Sequence, residues 1–137
     1  MVKAVPALLL LAIGMTCEGQ QPPTTASSTV IFYRVGGLWS KALDFPISLD
    51  GKAVGSIHNG LYISISTTPG KHEVSAGGSM LTQGETVTLN TEDGKTYYVR
   101  VDNAKGMHEH VRMRLVKPEE ATKTLSKLKE SQPKILN

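Results

Sequence analysis

Ile47-Ser48-Leu49-Asp50-Gly51-Lys52-Ala53-Val54-Gly55 is the stretch that decides the fold. Phe45, Ile47 and Leu49 alternate with polar or small residues, a period of two that puts them on one face of a strand. Asp50-Gly51 then supplies two residues that tolerate positive φ, as a two-residue type I′ hairpin demands. Lys52 to His58 is therefore expected to run back antiparallel beside the first strand.

The same grammar continues in both directions. Downstream, Asn59-Gly60 reads as a second turn of this chemistry, and Leu61, Ile63 and Ile65 alternate against Tyr62, Ser64 and Ser66. Pro69-Gly70 leads into Lys71 to Ala76, Gly77-Gly78-Ser79 reads as a bend, and Glu85 to Asn90 forms another short strand. After Asp93-Gly94, Lys95 to Asp102 carries Tyr97, Val99 and Val101 on one face. Glu109 to Val116 sets Val111, Met113 and Leu115 against His110, Arg112 and Arg114. Upstream, Thr29 to Val35 is β-branched and aromatic but for Arg34. The body interrupts itself with proline only at Pro46 and Pro69, near a strand start and in a turn, where a missing N–H costs little. The expected fold is all-β: a small antiparallel β-sandwich of seven or eight strands with a C-terminal α-helix. Closure into a barrel stays open at this level.

Pro118 stops the sheet and starts that helix. Proline suits the first helical position, Glu119 and Glu120 sit at the positive end of the helix dipole, and Ala121, Leu125 and Leu128 form a narrow apolar stripe. Glu119 and Lys123 are spaced as a favourable i, i+4 pair. Such a helix is expected to lie on the domain edge or to project from it, ending at Gln132-Pro133.

The other end of the chain reads as a leader. Met1-Val2-Lys3 is a short cationic start, and Ala4 to Met15 is an uncharged run of twelve residues containing Leu8-Leu9-Leu10-Leu11. As a helix it would span about 18 Å, short of a bilayer core of about 30 Å, so a secretory signal is expected and a membrane span is not. The only cysteine, Cys17, follows directly and precedes the polar Glu18-Gly19-Gln20-Gln21-Pro22-Pro23-Thr24-Thr25. This arrangement resembles a bacterial lipoprotein signal, in which the cysteine thiol is acylated and becomes the first mature residue. Gly14-Met15-Thr16 departs from that pattern, lacking the usual leucine three before the cysteine and the usual small residue just before it. Ordinary cleavage after Gly14 or Gly19 is the alternative. With one cysteine no intramolecular disulfide can form, so the fold must stand on its core. The organisation expected is a signal peptide at 1–16, a flexible tether at 17–28, the sandwich at 29–116 and the helix with its tail at 117–137.

Charge supports this division. The 137 residues carry 15 Lys and Arg against 12 Asp and Glu, a formal charge of +3. Lys3 and the lysine-bearing tail beyond residue 116 account for the whole excess, and residues 17 to 116 balance. The basic character therefore belongs to the two ends, and nucleic-acid binding is not expected.

Thr29-Val30-Ile31-Phe32-Tyr33-Arg34, Ile47 to Gly55, Asn59-Gly60-Leu61-Tyr62, Pro69-Gly70-Lys71-His72 and Gly94 to Arg100 together resemble a bacterial domain family of unknown function, number 2846, seen in exported proteins and predicted lipoproteins. The resemblance covers about residues 29 to 116. The Leu-Asp-Gly-Lys and Pro-Gly-Lys-His pieces are also similar to PEGA-type β-sandwich modules. These are turn motifs taken to fix hairpins. The resemblance implies a fold and an exported location, and brings no catalytic residues or cofactor with it.

Candidate sites follow from the residues alone. His108 and His110 flank Glu109, and on an extended segment i and i+2 point to one side, so the pair could contribute to a Zn²⁺ or Cu²⁺ site given a third ligand; a solvated strand start is the plainer reading. No Gly-x-Ser-x-Gly elbow precedes a helix, and the Gly77-Gly78 pair lies between strands, so hydrolase and nucleotide chemistry are not expected. Tyr98, Arg100, His110, Arg112 and Arg114 fall on the outer face of the final hairpin, mixing cations with an aromatic ring, as suits anionic glycan, lipid headgroups or a partner's carboxylates. Trp39, in the Gly36 to Asp44 loop, either plugs the sandwich end or anchors a partner. The expectation is an exported module, lipid-anchored to a membrane through Cys17, that binds or scaffolds at the cell envelope without catalysis or cofactor. The competing expectation is a metal-dependent envelope enzyme using His108, Glu109 and His110.

Overall fold

The structure, a computed structural model, describes residues 25–37, 43–77, 82–104 and 109–132. Among these, eight strands of five or more residues appear: β1 (Ser28–Tyr33), β2 (Phe45–Leu49), β3 (Lys52–Ile57), β4 (Leu61–Thr67), β5 (Gly70–Ala76), β7 (Glu85–Thr91), β8 (Thr96–Ala104) and β9 (Glu109–Val116). Two-residue strands β6 (Thr82–Gln83) and β10 (Lys129–Glu130) add to them, and α1 spans Pro118–Leu125. The strands form two sheets. Sheet A has the order β10-β4-β1-β8-β9-β6, and sheet B the order β3-β2-β5-β7. Their inner faces share one core, in which Val30, Phe32, Ile63, Val99 and Val101 of sheet A meet Phe45, Ile47, Ile57, Val74 and Leu89 of sheet B. The chain is thus an all-β sandwich.

Asp50 and Gly51 have φ of 50° and 77°, the pair of positive angles of a type I′ turn, and β2 and β3 form the expected hairpin. The other turn dipeptides do different work. Asn59-Gly60 joins β3 of sheet B to β4 of sheet A, Pro69-Gly70 joins β4 back to β5 of sheet B, and Asp93-Gly94 joins β7 to β8 of sheet A. They are corners between sheets, not hairpins. At Asn59-Gly60 only the glycine takes positive φ, 76°, so this turn is not of the Asp50-Gly51 kind.

Nor is pairing antiparallel throughout. The centre of sheet A is a parallel pair, β1 with β8, running from Thr29 opposite Thr96 to Tyr33 opposite Arg100. The strands are separated by all of sheet B in sequence, so the crossover is long enough to let them align. Gly77 marks where the two sheets close on each other: its φ is +82°, and a Cβ there would lie 2.7 Å from Val111 Cγ2.

The helix forms a third layer. Pro118 occupies its start, Glu119 and Glu120 fill the first turn, and Ala121 is fully buried against Tyr33 and Val116 on the outer face of sheet A. Leu125 and Leu128 extend that contact toward Tyr62 and Tyr98. The outer face of β4 is therefore partly covered at Tyr62. β10 then returns the chain to the edge of β4.

Candidate functional site

Strand register assembles the outer face of sheet A. Tyr62 lies opposite Tyr33, Tyr33 opposite Arg100, and Arg100 opposite Arg114, so one row crosses four strands as Tyr-Tyr-Arg-Arg. The next row places Asp102 opposite Arg112, and the row after it Ala104 opposite His110. Like charges directly opposed are unfavourable, and here each guanidinium of the pair is met by a carboxylate. Arg100 Nε donates to Asp102 at 2.9 Å, and Arg114 Nη2 donates to Glu120 of α1 at 3.1 Å. Arg112 is exposed and makes no ion pair among the described residues.

Tyr33 is wholly buried in this row, and its hydroxyl has no hydrogen-bond partner among the described residues. Burial pushes its pKa up, opposed by the Arg100 charge and reinforced by Glu120. The anticipated binding residues Tyr98, Arg100, Arg112 and Arg114 are thus brought onto one face, with Tyr98 turned partly under α1. His110 is half-buried at the far end of that face. Cys17, Trp39 and His108 lie outside the described residues, as does the side chain of Glu109. Among the described residues no three His, Cys, Asp or Glu side chains are grouped to hold a metal ion.

Leu115 is a correction of another kind. Alternation put it inward with Val111 and Met113, which are buried, yet Leu115 is 54% exposed. It lies near the end of β9, past the cover that sheet B provides.

Two buried charges escaped the sequence reading. His72, at 7% exposure, donates from Nδ1 to Asp50 Oδ2 at 2.6 Å and from Nε2 to the Thr68 carbonyl at 2.6 Å. A carboxylate and a carbonyl accept, so the protonated ring, with an N–H at each nitrogen, is the form that satisfies both contacts. The hydrogen bond to Asp50 accordingly raises the His72 pKa, and the same bond lowers that of Asp50. Asp50 also accepts from the Glu73 N–H at 2.8 Å. The two residues come from the Leu-Asp-Gly-Lys and Pro-Gly-Lys-His motifs, so the motifs are halves of one polar clamp. Arg34, at 2% exposure, donates to the Leu43 carbonyl and lies 4.1 Å from the centroid of the Phe45 ring, where a guanidinium meets a π face. The apolar run before Arg34 was the available signal, since a cation ending a buried strand must find partners inside.

The clamp ties turns together, whereas the sheet A face presents cations at the surface; the latter is the candidate site. Neither curated proteins nor solved structures provide a match to the chain. A family model matches residues 24–113, which spans both motifs of the clamp and most of the Tyr-Tyr-Arg-Arg row and stops before α1. The chain belongs to the family described as protein of unknown function, DUF2846.

Proposed function

We propose that this protein is an exported β-sandwich module, held to a membrane of the cell envelope by lipid on Cys17, that binds or scaffolds a protein or glycan partner and performs no catalysis. The observation that carries the reading is the position of the sole cysteine, between an uncharged run of twelve residues and a polar tether that leads into β1. Ser27, ten residues after Cys17, is tied to the Asp93-Gly94 corner: its N–H donates to Asp93 and its carbonyl accepts from Gly94. An anchor at Cys17 would keep that corner within about 35 Å of the lipid surface. No helix among the described residues is long and apolar enough to cross a membrane.

Intact mass of the processed amino terminus tests the anchor. Diacylated Cys17 as the first residue is the expected outcome, and Cys17→Ala should move the protein from the membrane to the soluble fraction. Unchanged fractionation of Cys17→Ala would sink the anchoring claim. Cleavage elsewhere without acylation would leave a secreted module. Metal content of protein purified without an affinity tag addresses the competing enzyme: stoichiometric zinc or copper, lost in His110→Ala, would replace the non-catalytic reading.

A further inference from the structure

We propose that the outer edge of β9 over Met113–Val116 is a docking strip for an extended peptide segment of alternating acidic and apolar residues, which adds to sheet A as a further strand. The inference rests on the binding-module part of the reading above and is independent of the anchor.

On one side β9 pairs with β8 along its length from His110 to Val116. On the other side β6 pairs with Glu109 and His110 alone, and no described strand continues beyond them. The Met113 N–H points to this open side, because it donates to the side-chain carboxylate of Glu85. With a period of two, the N–H and carbonyl of Leu115 face the same way. A side chain thus occupies the place of a strand at Met113, and at Leu115 no described residue pairs with the backbone edge. Edges of this sort take up extended segments through main-chain hydrogen bonds, with flanking pockets choosing the side chains.

Both flanks of the edge carry such pockets. Around the end of β9 a groove of about 320 Å³ is lined by Tyr97, Tyr98, Leu115, Val116 and Pro118, with Leu115 itself more than half exposed. The other hollow, of about 460 Å³, is lined by Glu85, Asp102, Arg112 and Arg114; Glu85 is engaged by the Met113 N–H, Asp102 by Arg100 and Arg114 by Glu120, and Arg112 makes no ion pair among the described residues. A strand laid along β9 alternates its side chains between these flanks, apolar toward Leu115 and acidic toward Arg112 and Arg114. The same charges disfavour a second copy as occupant. Antiparallel self-pairing about Met113 would set Arg112 of each copy opposite Arg114 of the other, a like-charge contact.

Sheet B's edges lack these features. β3 is interrupted by a register shift opposite Ile47 and Ser48, which breaks a continuous template. β7 shows the uncharged Thr86, Thr88 and Asn90 to solvent, without an exposed apolar anchor.

Backbone amide exchange, followed by NMR on protein purified as the cell processes it, tests the strip. The probe is a blocked synthetic peptide of alternating glutamate and valine, with a lysine and valine peptide as control. The glutamate peptide should slow exchange at Leu115. Arg112→Glu, a change at an exposed side chain, should weaken its binding about tenfold. Leu115→Pro removes an N–H that no described strand uses, and should abolish binding while the exchange of the β1 amides stays slow. Equal response to both peptides, no slowing at millimolar peptide, or protection at Thr86 and Thr88 in place of Leu115 would overturn the proposal. Concentration-dependent protection of Leu115 without peptide would overturn it in favour of a second copy. Failure here with acylated Cys17 removes the docking strip alone, and an unacylated Cys17 with a positive peptide result removes the anchor alone.

Discussion

At the corner of sheet B the Asp50 carboxylate and the His72 ring satisfy each other and the backbone around them, whereas on the outer face of sheet A two arginines stand opposite each other beside a tyrosine hydroxyl with no partner among the described residues. Both regions place charge near buried surface. In the first, every proton on the ring has an acceptor, and the chain between the two motifs is held closed. In the second, carboxylates from β8 and α1 are needed to quiet a repulsion that the strand register creates. A polar group whose partners are complete is there for the fold. One that the fold leaves incomplete is available for something else, and that difference directs attention to sheet A.

The largest expected effect comes from breaking the complete side of this comparison. His72→Ala removes a buried ring and both its hydrogen bonds, and should cost about 2–4 kcal/mol, or a fall in Tm of roughly 10–20 °C for a domain of this size. Its pH dependence carries a definite sign. The His72 pKa is raised on folding, so its contribution is complete below the ordinary imidazole value of 6.5 and is lost as pH rises through the folded value. Asp50 is lowered, so its contribution is present above its ordinary value of 3.8 and is lost as pH falls through the folded value. Thermal melts should therefore show the widest gap between the native protein and His72→Ala between these two limits, narrowing on the alkaline side. A gap that stays constant into alkaline solution would mean that the ring is neutral and the clamp is ordinary packing.

That clamp also shows where sequence reading runs out. Alternation and turn residues made all eight long strands legible, because period-two burial and positive φ are local properties. They could not say whether a turn folds back within a sheet or steps across to the other. Asn59-Gly60 and Pro69-Gly70 are turn dipeptides in either case, and the choice is made by which apolar faces meet in the core. The parallel β1–β8 pair is similarly invisible, since every strand of sheet B separates its partners in sequence. For the candidate face, Arg100, Arg112 and Arg114 were readable as neighbours from the final hairpin alone. Tyr33 and Tyr62 were not, because they reach the arginines through that parallel register. β6 and β10 are too short for any periodicity to declare.

Two tyrosine substitutions sharpen the comparison at intermediate size. The Tyr97 hydroxyl accepts from the Glu92 N–H at 2.9 Å, a completed contact, so Tyr97→Phe should destabilise by about 1 kcal/mol. The Tyr33 hydroxyl is buried without a partner among the described residues, so Tyr33→Phe should leave stability unchanged or raise it by up to about 1 kcal/mol. Chemical denaturation of the two variants beside the native protein measures both. Loss of stability in Tyr33→Phe equal to that of Tyr97→Phe would show that the Tyr33 hydroxyl is satisfied in solution, and the contrast between the regions would weaken.

The smallest effect belongs to the ion pair that covers the arginine row. Arg114 and Glu120 are each about half exposed, at 54% and 50%, so solvent screens their attraction and Glu120→Ala should change stability by no more than about 0.5 kcal/mol. Its direction is still informative. The substitution removes a carboxylate from the first turn of α1 and leaves Arg100 and Arg114 opposed, so the change should be destabilising at low salt. At 1 M salt the Debye length falls to about 3 Å and the difference should vanish. A loss that survives high salt would have to come from contact and not from charge, and the nearest group in need of one is the Tyr33 hydroxyl beneath α1.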